Sequence, residues 1–285
     1  MQSAECDRHP FLIFKNRSAL TNNDPNFIAA ELDAFLGGGG GGGGGADIMV
    51  EPSTTRYTDQ LRAKAGDQWN RVVHHRFTKE LAAGTIDKQT VLKPYLIQDH
   101  RFLDSFVVLL ASIVAAVPSL EDRIPGCQFL AVVTGSENTY FERSFEALGV
   151  TLEERESTPD AAVTTKFCTL MRDAAASQNL VEMLAVIVVC EWSYMSWGQA
   201  VLNEGMVNRE DFVTHEWVDL HSGPMFEGVI EYLRSLLDRE GGHLASAAAS
   251  GDNDEASRLL EACERRFLEA VQLEEDFFEY AYSNN

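Results

Sequence analysis

LKPYLIQDHRFLDSFVVLL, residues 92–110, decides the fold. Leu92, Tyr95, Leu96, Phe102, Leu103, Phe106, Leu109 and Leu110 recur at spacings of three and four, which lines them along one face of an α-helix and suits no strand. One member of that stripe is not apolar. Asp99 stands where a core side chain belongs, and a carboxylate stripped of water there needs a partner, a proton or a task.

The same period extends outward from Tyr57 to the end of the chain. It predicts helices over residues 58–74, 87–117, 119–148, 159–176, 179–202, 209–220, 224–239 and 252–282, with a short turn carrying Phe77 and Leu81. Asp87 has the side chain and position of an N-cap, and Pro94 predicts a bend early in the long helix. No alternating run bounded by hairpin signals breaks the pattern, so the class is all-α, a multi-helix bundle of about eight helices.

Residues 1–56 have a different texture. Nine consecutive glycines, Gly37 to Gly45, lose too much backbone entropy on ordering to join a core. The expected organisation is a disordered, low-complexity arm over 1–56 and one helical domain over 57–285. The glycine run is no phosphate loop, because no strand precedes it and no Lys-Ser or Lys-Thr follows.

Among 285 residues, 44 are acidic and 23 basic, a formal net charge of −21. Such a chain repels phosphate backbones and anionic lipid heads, which argues against nucleic-acid and membrane-surface partners. The five cysteines, Cys6, Cys127, Cys168, Cys190 and Cys263, form no CxxC and no zinc spacing with histidine. They read as reduced thiols of a cytoplasmic protein. Glu5, Asp7 and Arg8 interrupt any secretory leader, and the apolar run at 183–190 is too short to span a bilayer.

Two further acids share the anomaly of Asp99. In the last helix Cys263, Phe267, Ala270, Glu274, Phe277 and Ala281 form one stripe, with Glu274 in a core position. The helix from Asn179 is apolar on nearly every side except at Glu191. One such acid alone is most often tilted to a wet edge or paired with a cation. Three on three separate core helices, each near aromatic residues, point to a small-molecule site that stacks and orients a planar heterocycle. Other candidates carry less. His74-His75 reads as a surface helix end with a cation at its negative pole. A di-metal site would need Glu-x-x-His pairs, which Asp99-His100 and Glu216 to His221 do not supply. His221 is instead a residue that could line the pocket, and Cys190 is either a small core residue or a nucleophile.

Four stretches give the chain a resemblance to the TenA, or thiaminase II, family over roughly 57–282. Residues 69–84, WNRVVHHRFTKELAAG, resemble the family's opening helix and turn. Residues 95–103, YLIQDHRFL, are similar to its YLxQDxxFL motif and are the most specific. Residues 190–194, CEWSY, match its central helix, and residues 273–282, LEEDFFEYAY, its closing one, with Trp217-Val-Asp a weaker match between them. The resemblance implies a haem-oxygenase-like bundle without haem and with no cofactor or metal, assembled as a homo-oligomer, a dimer or tetramer. It implies hydrolysis of aminopyrimidines related to thiamine, salvaging breakdown products to the hydroxymethyl pyrimidine.

Carried onto this chain, the resemblance implies that Asp99 binds the ring nitrogen and amino group and that Glu274 is the acid/base. Tyr194 and Phe277 would lie against the ring, and Phe102 would form an aromatic wall. One branch of the family uses a cysteine and the other a glutamate. Cys190 fits the C-x-x-x-Y spacing to Tyr194, and Glu191 the E-x-x-Y spacing. Met195-Ser-Trp-Gly and Ser136-Glu-Asn-Thr-Tyr-Phe resemble the glutamate branch, and Val189 replaces the usual proline, so the resemblance favours Glu191. Thr164 or Thr165, and His221, stand where the family often has tyrosines. Two alternatives stay beside the hydrolase: a metal-dependent or cofactorless oxygenase on the same fold, and a non-catalytic pyrimidine-binding protein.

Overall fold

A computed structural model describes residues 55–250 and 254–283. Twelve α-helices and two π-helical turns, and no strand, are found among the described residues. In chain order the helices are α1 (Tyr57–Ala65), α2 (Asp67–Val73), α3 (Arg76–Ala82), α4 (Lys93–Ala116), α5 (Leu120–Val132), α6 (Asn138–Leu148), α7 (Leu152–Ser157), α8 (Ala162–Ser177), α9 (Leu180–Asn203), α10 (Phe212–Leu220), α11 (Pro224–Ala249) and α12 (Asp254–Tyr280).

The expected elements are present, and most differences lie at breaks. The single helix predicted over 58–74 is two, because Gly66 adopts φ 57° between them. The turn carrying Phe77 and Leu81 is the helix α3, capped by His75, whose Nδ1 accepts from the amide of Phe77. His75 is therefore a buried cap and not a surface helix end; its Nε2 lies 3.1 Å from Glu279. Asp87 caps as expected, but what it caps is a π-helical turn, Lys88–Leu92, ahead of Pro94 in the first turn of α4. The long segment over 119–148 is divided by a second π-helical turn, Val133–Glu137. At the other end α11 continues ten residues past the predicted 239, through Gly241 and Gly242 into an alanine-rich end that favours the helix.

The helix α9 lies at the centre, packed against α2, α3, α4, α8, α11 and α12. That position explains why it is apolar all round. It is also the one described helix long and apolar enough to cross a membrane, yet 72% of its most apolar window is buried inside the fold, as in a core helix. On α4 the predicted stripe faces inward: Leu92, Tyr95, Leu96, Leu109 and Leu110 are fully covered.

The motif residue Gln98 ties this helix to the start of α8. Its Oε1 accepts from the amide of Ala161 at 2.9 Å and the hydroxyl of Thr164 at 2.7 Å, and its Nε2 donates to the Pro159 carbonyl at 3.0 Å. The expected arm over 1–56 falls outside the described residues except at Thr55 and Arg56. Arg56 donates to Asp238 and Glu231 on α11, which anchors the start of the domain.

Candidate active site

One cavity opens among α4, α8, α9, α10, α12 and the π-helical turn Val133–Glu137, with about 440 Å³ of space free of protein atoms, part of it open to solvent. Its wall brings together all eight residues singled out in the sequence: Asp99, Phe102, Cys190, Glu191, Tyr194, His221, Glu274 and Phe277. Leu103, Phe106, Phe167 and Trp217 complete an aromatic and aliphatic lining, and no lysine or arginine is part of it.

Glu137 is the acid that periodicity did not reveal. It ends the second π-helical turn and faces the same cavity. An extra residue in a helical turn rotates the following side chains by roughly 100°, so the ordinary period misplaces them. The signal was the similarity of residues 136–141 to a family motif, which marked the segment but not the side chain. Thr164, one of the two threonines expected in place of a family tyrosine, is bonded to Gln98, and α8 presents Phe167 to the cavity instead.

Four carboxyls and no cation in one cavity cannot all be ionised. Burial pushes Asp99 up to about 7, with the Tyr95 hydroxyl pulling it back. Burial and then the charge of Asp99 push Glu137 up to about 8. Glu191 is held well above the carboxylate range by burial, then by Glu137, Glu274 and Asp99. Glu274 is raised by burial and by Asp99, against a hydrogen bond from the Cys190 thiol. Glu137 and Glu191 are only partly covered because the cavity lies open beside them, yet their carboxyls sit deep among protein atoms.

Asp99 is 7% exposed, and its Oδ2 has no hydrogen-bond partner in the protein. A buried carboxyl oxygen with no partner leaves a place for a donor from outside. Beside it Tyr95 and Tyr194 share a hydroxyl–hydroxyl bond of 2.5 Å. His221 Nδ1 lies 2.8 Å from the Trp217 carbonyl, which only accepts, so that nitrogen carries the proton. Burial brings the imidazole down to about 4, leaving it neutral with Nε2 as an acceptor.

Both residues of the expected contest, Cys190 and Glu191, line the cavity. The thiol is pushed well up by burial, then by the charges of Glu274 and Glu191. Among the described residues no three His, Cys, Asp or Glu side chains converge closely enough to hold a metal ion.

The model of the TENA/THI-4/PQQC family matches residues 62–283. An aminopyrimidine aminohydrolase of Halalkalibacterium halodurans is 25% identical over 228 residues, 80% of this chain and 96% of its own. The aminopyrimidine aminohydrolase of Helicobacter pylori is 20% identical over 218 residues, 76% of this chain and 94% of its own. Among solved structures, a TenA family transcription regulator from a Silicibacter species superposes with a TM-score of 0.67 at 23% identity, covering 79% of this chain and 96% of its own. A TenA homologue from P. horikoshii gives 0.66 at 21%, covering 81% and 100%.

Proposed function

Because the chain belongs to the TENA/THI-4/PQQC family, we propose that it is a hydrolase of the C–N bond in aminopyrimidines, converting thiamine breakdown products to the hydroxymethyl pyrimidine. The observation that carries this reading is the free Oδ2 of Asp99, aimed into an aromatic-walled cavity. A carboxyl with one open oxygen matches the adjacent ring nitrogen and amino group of a 4-aminopyrimidine. With a pKa near 7 the acid and the ring share one proton, which makes the ring electrophilic.

The chemistry runs through Cys190 and Glu274. The thiol adds to a ring carbon conjugated with the exocyclic methylene while its proton passes to Glu274. The electron pair pushed into the ring then expels the amine from the methylene, and the amine leaves protonated. Water adds at the methylene, giving its proton to the carboxylate that protonated the amine, and Glu274 returns the thiol's proton as the sulfur departs and the ring regains aromaticity. The balance is substrate plus water to pyrimidine alcohol plus amine. A thiol buried without a cation is a poor nucleophile, so a carboxylate of raised basicity beside it is required.

Glu191, repelled by three other acids, holds its proton and is suited to donate it to the departing amine. Tyr194, Phe277 and Phe102 pack the ring faces. The same reading carries a homo-oligomer in the cytoplasm. Incubating the protein with thiamine, the aminomethyl pyrimidine and its formyl derivative tests the activity. Release of pyrimidine alcohol is expected, with loss in Asp99→Asn; no release from any of the three sinks the reading.

A further inference from the structure

Glu137 has no place in the steps above. It is carried into the cavity by a π-helical turn, a distortion frequent at functional sites, and nothing else about the segment requires an acid there. It shares the wall with Asp99 and Glu191 and interacts electrostatically with both.

The wall as a whole asks for donors. Its ionisable oxygens are four carboxyls, and His221 Nε2 is a fifth acceptor. The Tyr194 hydroxyl is already engaged with that of Tyr95, and the Cys190 thiol is a weak donor. Two buried atoms of the wall residues lack a partner, the acceptor Asp99 Oδ2 and the donor Trp217 Nε1, so acceptors still outnumber donors. A ligand that satisfies this wall brings several N–H groups and a positive charge.

We infer that Glu137 is a specificity-determining residue that binds a protonated primary amine on the substrate's side arm, next to Glu191. The inference rests on the aminopyrimidine reading above. It adds how the side arm is held: the amine takes up the Glu191 proton, lies as an ammonium between Glu137 and Glu191, and departs as ammonia. A neutral amide side arm supplies no charge, and a quaternary thiazolium supplies charge but no N–H. Glu137 therefore works in binding and in keeping the leaving group protonated, while the Cys190–Glu274 pair is common to all three.

The experiment is the ratio of kcat/KM for the aminomethyl pyrimidine to that for its formyl derivative, in wild type and in Glu137→Gln. A fall of tenfold or more in that ratio, carried mainly by KM for the amine, is the expected result. Glu137→Ala should change the ratio the same way and is read in its place if the glutamine variant does not fold. An unchanged ratio in a folded variant overturns the assignment. Wild type inactive on both substrates instead overturns the reading it rests on, so the two failures are distinct.

Discussion

The Cys190 thiol of α9 and the Glu274 carboxyl of α12 meet in one cavity, where each shifts the other's proton affinity. Glu274 is 2% exposed and Cys190 equally covered, so both groups lie out of reach of bulk water. Glu191, one residue on, points to the same cavity but is surrounded by acids.

That difference separates the roles of the neighbours. Cys190→Ala is expected to lower kcat by about a thousandfold or more, since it removes the attacking atom. Glu191→Gln removes only a proton donor, which is worth about a hundredfold. Steady-state rates on the aminomethyl pyrimidine check both. Near-full activity in Cys190→Ala with complete loss in Glu191→Gln would reverse the assignment in favour of the glutamate that the sequence resemblance preferred.

Stability should fall as pH rises through neutrality. Asp99 keeps its proton up to about 7 in the folded chain and Glu137 to about 8, whereas both lose it near 4 when unfolded. Between those values the folded state binds more protons, so each step upward favours unfolding. The slope is on the order of 1.4 kcal/mol per pH unit for one such group. Denaturant melts at pH 5.5 and 8.5 should show the loss in wild type, and a shallower one in Asp99→Asn. A wild type equally stable at both would show that the acids are solvated.

Much of this site was legible in the sequence because helices α4 and α12 keep an undisturbed period. Asp99 and Glu274 share stripes with leucines and phenylalanines, and burial follows from register alone. Glu191 was harder, since a central helix is apolar on every side and periodicity gives no face. Glu137 was hidden by the π-helical turn, which breaks the period that would have placed it. The break at Gly66 and the cap at His75 depend on a positive φ and a side-chain hydrogen bond, neither of which a hydrophobic pattern records. The pairing of Cys190 with Glu274 joins two helices far apart in the chain.

Tyr95 does not line the cavity, yet it should tune it. Its hydroxyl bonds that of Tyr194 at 2.5 Å and also holds Asp99 down. Tyr95→Phe leaves the Tyr194 hydroxyl without that partner, at a cost of about 1–3 kcal/mol in stability. It also removes the group that favours ionised Asp99, so any limb of the kcat/KM–pH profile that follows Asp99 should move to higher pH. A merely structural residue would lower stability and leave the profile where it was.

Gly198 lies in mid-helix on α9, where glycine weakens a helix, so its presence calls for a reason. A Cβ there would stand 2.7 Å from the His221 carbonyl oxygen and 3.3 Å from its carbon. Both are backbone atoms, which cannot turn aside as a side chain would. The absence of that methyl lets the end of α10 close onto α9 and brings the His221 ring within 4.8 Å of Tyr194 and 4.3 Å of Trp217. Gly198→Ala gains helix propensity worth about 1 kcal/mol but forces the two backbones apart, an overpacking cost of about 1–3 kcal/mol. The net expectation is a destabilised protein whose His221 has left the cavity wall. Its KM for aminopyrimidine should rise severalfold more than its kcat falls, because His221 lines the cavity and carries no step of the proposed chemistry. A crystal structure of the variant with His221 still in place would show that α10 can adjust without it.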